Sequence, residues 1–140
     1  MARLKLDMPQ KYLFSTTIDI RITDINYGNH LGNDSLLSII HEARMRFLAS
    51  LGYSEMDIEG AGTMMADVAI IYKSQAFYGD TLRIEFGIGD ISRKSCDFYY
   101  RITKESDKIV ALSKTAIVFL DFVQQKPIRI PEAFLRKIGA

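Results

Sequence analysis

The segment Asp24–Asn33 reads DINYGNHLGN and gathers a carboxylate, several amides and an imidazole within ten positions. His30 is the candidate general base, because an imidazole changes charge near neutral pH and accepts a proton from water. A loop histidine also serves purely structural roles. Asn26 has no basic oxygen or ionisable group. Its amide either orients a water and donates to a carbonyl, or only shapes the turn. Asp24 offers a negative charge or an Asx turn. Asn33, Asp34 and Ser35 are good helix N-caps, and the helix they open carries unpaired N–H groups whose dipole favours an anion. Glu42 lies on that helix, either as an acid/base group or in an ion pair with Arg44, Arg46 or another subunit.

Other reactive residues are scattered. Arg93, Lys94 and Ser95 put two cations and a hydroxyl on one turn, which suits phosphate as well as solvent. Cys96 is a nucleophile if a base reaches it and otherwise a packed thiol. Asp67 interrupts an apolar run, facing either a cleft or solvent. His30 and His41 with one cysteine form no zinc pattern, so no metal is expected. Phosphate loops of the G-x-x-x-x-G-K or G-x-G-x-x-G type are absent.

These residues must be held by elements legible in the pattern. Phe14, Thr16, Ile18, Ile20 and Ile22 alternate within Tyr12–Thr23, which predicts a strand. After the Asp24–Asn33 loop, Leu36, Ile40, Ala43, Phe47 and Leu51 recur every three or four residues, widened by Leu37, Ile39 and Leu48. This predicts a largely buried helix stopped at Gly52. Gly62–Ser74, Thr81–Ser92, Lys94–Lys104 and Lys108–Val123 read as four more strands. Turns fall at Tyr78–Asp80, Ser92–Ser95 and Glu105–Asp107. Pro131 opens a short terminal helix. One strand, one apolar helix and then four consecutive strands predict an α+β domain, an antiparallel curved sheet of five or more strands wrapped around the helix. Its edge strand or outer face favours self-association.

The 140 residues suit one domain, 1–140. Eighteen basic against 17 acidic side chains leave a net charge of +1, which argues against a broad nucleic-acid or membrane-surface footprint. One cysteine permits no internal disulfide. No segment approaches the roughly 18 apolar residues of a membrane span, and Met1–Lys11 lacks the apolar run of a signal peptide. A cytoplasmic protein is expected.

The stretch DINYGNHLGNDSLLSIIHEARMRFL resembles the signature of the 4-hydroxybenzoyl-CoA thioesterase-like branch of the hotdog superfamily. That signature runs D-x-D-x-x-G-H-V-N-N into a helix carrying E-A-R. His30, Asn33, Glu42, Ala43 and Arg44 stand at matching positions. IIYKSQAFYGDTLRIEF is similar to the family's Y-x-x-P-x-x-x-G-D-x-L segment. RKSCDFYYRI and ALSKTAIVFLDFVQQKPIRIP resemble its later strands. The likeness spans roughly residues 12 to 135. It departs in two places: the second acidic position is Asn26, and the glycine before the histidine is Asn29, with Gly28 one residue earlier.

The resemblance implies the hotdog fold and hydrolysis of an acyl-CoA thioester, with coenzyme A as part of the substrate and no separate cofactor. It points to the backbone N–H near Asn33 as the oxyanion donor and to Arg93, Lys94 and Ser95 as the nucleotide turn. The acyl chain would run along Leu37, Ile40 and Met64 or Met65. An acyl-carrier-protein thioester is the alternative substrate. Because the loop Asp is Asn26, a non-catalytic acyl-CoA binder is the alternative function. A homodimer or homotetramer is expected.

Overall fold

The computed structural model describes residues 1–140. Strand β1 (Phe14–Asp19) is followed by a 3-10 turn at Ile22–Asp24 and the long helix α1 (Asn33–Ser50). Strands β2 (Gly62–Tyr72), β3 (Thr81–Gly89), β4 (Ser95–Lys104) and β5 (Lys108–Asp121) come next. A short β6 (Lys126–Pro127) and helix α2 (Glu132–Lys137) close the chain. All pairings are antiparallel, in the order β1-β3-β4-β5-β2, with β6 folded back on β5. The curled sheet covers one side of α1, the sheet-around-helix arrangement the pattern predicted and the hotdog fold the resemblance implied.

The elements sit where expected, with trimmed ends. β1 stops at Asp19 because the Asp24 carboxylate accepts the Arg21 N–H at 2.9 Å and closes a turn where alternation alone predicted strand. β3 stops at Gly89, before Asp90 takes a left-handed φ of 46°. β6 was not anticipated. The Asp121 carboxylate accepts the N–H groups of Val123 and Gln124 and turns the chain back.

The buried face of α1 carries Leu36, Ile39, Ile40, Ala43, Arg44, Phe47 and Leu48. Leu37, expected in that stripe, is exposed, since the sheet encloses only one side of the helix. Phe47 stacks on Phe86 of β3 with centroids 4.1 Å apart. Phe98 and Tyr100 of β4 meet Phe86 edge-on at 5.0 and 5.4 Å. Such aromatic pairs add about 0.5–1.5 kcal/mol beyond the area they bury. Phe47→Ala should therefore destabilise the chain by about 3–5 kcal/mol, read as a lower denaturation midpoint at unchanged slope.

Cys96 lies on the inner face of β4, 2% exposed. Burial, aided by neighbouring Asp97, pushes its thiol up to about 12. It is a packed side chain with almost no thiolate at neutral pH. Its reaction with a disulfide reagent at pH 8 should follow global unfolding, slow in buffer and complete in denaturant. Rapid labelling of the native chain would contradict this burial.

Candidate active site

The loop between β1 and α1 is closed by its own backbone. Ile25 bridges Leu31, the Asn26 N–H donates to the His30 carbonyl at 2.9 Å, and the Asn29 N–H donates to the Asn26 carbonyl at 3.1 Å. Asn29 takes a φ of 65°. This is the left-handed region, which asparagine tolerates better than other side chains. The turn therefore accepts Asn29 where the related signature has glycine. Gly28 makes room for the imidazole: a Cβ there would sit 3.2 Å from His30 Nε2 and 3.3 Å from Asn26 Oδ1. Leu31 donates to the Ala76 carbonyl at 2.7 Å, which ties the loop to the segment after β2.

A cleft of about 300 Å³ opens where this loop meets the amino end of α1. His30, Gly32, Asn33 and Leu36 form one wall, with Tyr72, Lys73, Ser74 and Gln75 opposite. His30 Nδ1 lies 3.3 Å from the Leu31 carbonyl. With Nδ1 donating there, Nε2 keeps its lone pair. Asn26 Oδ1 accepts the Gly28 N–H at 2.9 Å, so the hydrogens on Nδ2 remain available.

The helix begins differently from expectation. Gly32 is the N-cap, and no side chain caps the helix. Asn33, Asp34 and Ser35, read from sequence as caps, are the first helical residues. A Cβ on Gly32 would lie 2.7 Å from Asp34 Oδ1, so glycine is what lets the chain enter so tightly. The first helical bond runs from Leu36 N–H to the Gly32 carbonyl at 3.1 Å. The N–H groups of Asn33, Asp34 and Ser35 thus have no partner in the fold. Uncommitted donors at the positive end of an 18-residue helix favour a negatively charged oxygen.

Tyr72 was missed in the sequence. Its hydroxyl donates to the Asn33 carbonyl at 3.1 Å and braces the helix tip. Burial, with Asp34 nearby, raises its phenol above the ordinary value and keeps it a donor. The available signal was its place as the tyrosine that opens the Y-x-x-P-like segment, at the end of an apolar strand.

The remaining candidates are dispersed. Asp24 is buried, and its carboxylate is occupied by the Arg21 backbone at 2.9 Å and guanidinium at 3.4 Å. It shapes the loop and does not face the cleft. Glu42 pairs with Arg46 at 2.8 Å on the side of α1 facing β1. The ion-pair reading of Glu42 therefore describes its position. Asp67 points away from the helix and pairs with Lys114 at 2.8 Å. Ile40 is fully buried in the core, so it lines no acyl channel. Arg93, Lys94 and Ser95 sit at the start of β4, whereas the cleft lies by its end. Ten residues of strand put them about 30 Å away within one chain. No group of His, Cys, Asp and Glu side chains is arranged to hold a metal.

The comparisons agree with this fold. A model of the thioesterase-like superfamily matches residues 20–138. A 1,4-dihydroxy-2-naphthoyl-CoA thioesterase from Synechocystis superposes with a TM-score of 0.81 at 21% identity, covering 89% of this chain and 94% of its own. A DHNA-CoA thioesterase from Staphylococcus aureus gives 0.77 at 22% identity, covering 88% and 84%. The Staphylococcus aureus protein SAV2348, solved in complex with CoA, gives 0.83 at 20% identity, covering 96% and 86%. No curated protein matches. With the superfamily model spanning nearly the whole chain and the helix-on-sheet architecture in place, the chain belongs to the thioesterase-like superfamily and has the hotdog fold.

Proposed function

We propose that the protein hydrolyses acyl-CoA thioesters at the amino end of α1. One observation carries this reading: Asn33, the first of three helix residues with uncommitted N–H groups, lines one cleft with His30, and the Asn26 amide lies beside that imidazole. The thioester carbonyl oxygen points at those N–H groups. A water held by Asn26 Nδ2 gives its proton to His30 Nε2 and attacks the carbonyl carbon. Charge builds on the oxygen in the tetrahedral intermediate, where preorganised donors act most strongly. Collapse expels coenzyme A and leaves the free acid. Asn26 orients the water and is not the base, as its amide chemistry requires. Coenzyme A as carrier is supported by the CoA complex of SAV2348. Lys73, on the cleft wall, is the cation placed to meet the carrier arm.

We also propose a homodimer through β2. This 11-residue strand is an edge of the sheet and offers unpaired backbone groups. Its Met64, Met65, Val68 and Tyr72 are exposed, and Leu37 extends the apolar row onto α1.

Incubation with a panel of acyl-CoAs and a thiol reagent should release free thiol, with Cys96 contributing no background. His30→Ala should lower kcat by about 10²-fold or more. Binding without any thiol release would instead make the chain an acyl-CoA binder. Faster release from acyl-carrier protein than from acyl-CoA would reassign the carrier. Light scattering should give twice the chain mass of 15.9 kDa, and a monomer would remove the β2 interface.

A further inference from the structure

Residues 1–11 cross the outer face of the sheet, the face turned away from α1. Three contacts trace their path. At β3, Gly87 passes under Pro9 and Lys11: a Cβ there would sit 2.8 Å from Pro9 Cγ and 3.1 Å from the Lys11 carbonyl oxygen. At β4, burial, the Asp90 carboxylate and the charges of Asp97 and Asp7 push the Tyr99 phenol up, which puts Asp7 beside that ring. Tyr99 alternates with the core residues Phe98 and Tyr100 and so faces outward, yet it is only 7% exposed. At the end of β2, Arg3 and Leu4 meet Ile70, Ile71, Tyr72 and Lys73 around a groove of about 390 Å³. Leu6, Met8 and Pro9 are half-buried along the way, so the segment is seated on the sheet.

The charge around this groove has one sign. Residues 1–6 and 70–75 contain Arg3, Lys5 and Lys73 and no carboxylate. All three cations are exposed, and none takes part in an ion pair. In a chain with 18 basic and 17 acidic side chains, that segregation leaves a local positive field. Arg3 and Lys73 line the groove together. An arginine fork meets two phosphate oxygens at once, and a lysine adds a mobile point charge. Leu4, Ile70 and Ile71 supply apolar surface beside them, which suits a base attached to the phosphates. The groove also continues the candidate active cleft, since Tyr72 and Lys73 line both. Edge-to-edge pairing of β2 uses in-plane backbone groups and leaves the outer face open.

We propose that this groove binds the nucleotide end of coenzyme A, with Arg3 and Lys73 clasping its pyrophosphate. The assignment rests on the acyl-CoA reading above and extends that site. The acyl group sits at the α1 tip, the pantetheine arm leaves over Tyr72 and Lys73, and the phosphates arrive under Arg3. Residues 1–11 thereby become a selectivity element, placing one cation that the sheet alone does not supply. Arg93–Ser95, the turn implied by resemblance, is the competing location.

The test compares one acyl group carried on pantetheine, on 4′-phosphopantetheine and on coenzyme A. Arg3 is exposed, so Arg3→Ala leaves the core intact. The wild-type preference for acyl-CoA over acyl-pantetheine, as a ratio of kcat/KM, should fall by about three- to tenfold in Arg3→Ala and again in Lys73→Ala. The fall should come through KM. An unchanged ratio, or equal losses on all three carriers, would overturn the assignment. So would a full effect already present on phosphopantetheine, which carries one phosphate and no nucleotide, or a fall in Arg93→Ala with none in Arg3→Ala. Calorimetric binding of free coenzyme A reads the groove without turnover, and Arg3→Ala should weaken it by a similar factor. Arg3-dependent binding in a protein that cleaves none of the three thioesters would defeat the hydrolase reading and uphold the groove. Cleavage with Arg3-independent binding would do the reverse.

Discussion

Phe47 lies flat against Phe86, and that contact fixes how α1 crosses the sheet. The rest of the site follows from it. Once the helix is seated on β3 and β4, its amino end lies beside the end of β2, where Tyr72 bonds Asn33. The Asp24–Asn33 loop must then fold over that end. Buried Leu36, Ile39 and Ile40 extend the same seat up to the tip. Aromatic packing deep in the core therefore positions N–H groups at the surface, where they bond nothing within the fold.

The loop is built to leave those groups free. Gly32 in the N-cap position supplies no side-chain acceptor, at a cost of only about a few tenths of a kcal/mol relative to a capping serine or asparagine. Giving up that stabilisation leaves a donor set for another anion. Asp24 is spent on Arg21 and Asn26 Oδ1 on Gly28, so the loop holds its shape with groups that are not needed for chemistry. His30 and the Asn26 Nδ2 hydrogens are what remain.

Much of this was legible in the residues. Period two and period 3.6 located every long element, because burial on one face imposes those periods regardless of tertiary detail. The ordered resemblance added the fold and pointed to the helix tip. Element ends were less legible, since they depend on single bonds such as Asp24 to Arg21. The role of Glu42 was open in the sequence because periodicity does not say which flank of a helix the sheet leaves uncovered. The His41–Glu55 pairing was illegible, joining residues 14 apart through a loop. Arg93–Ser95 looked adjacent to the chemistry only while the strands had no length. β4 separates them from the cleft.

The account stands on the oxyanion being held by the first turn of α1. Backbone amide resonances recorded while a non-hydrolysable acyl-CoA ketone analogue is added test this directly. The amides of Asn33, Asp34 and Ser35 should shift the most and become protected from exchange, with the analogue's oxygen about 3 Å from them. Saturating binding that leaves those three resonances in place, while amides elsewhere move, would contradict it.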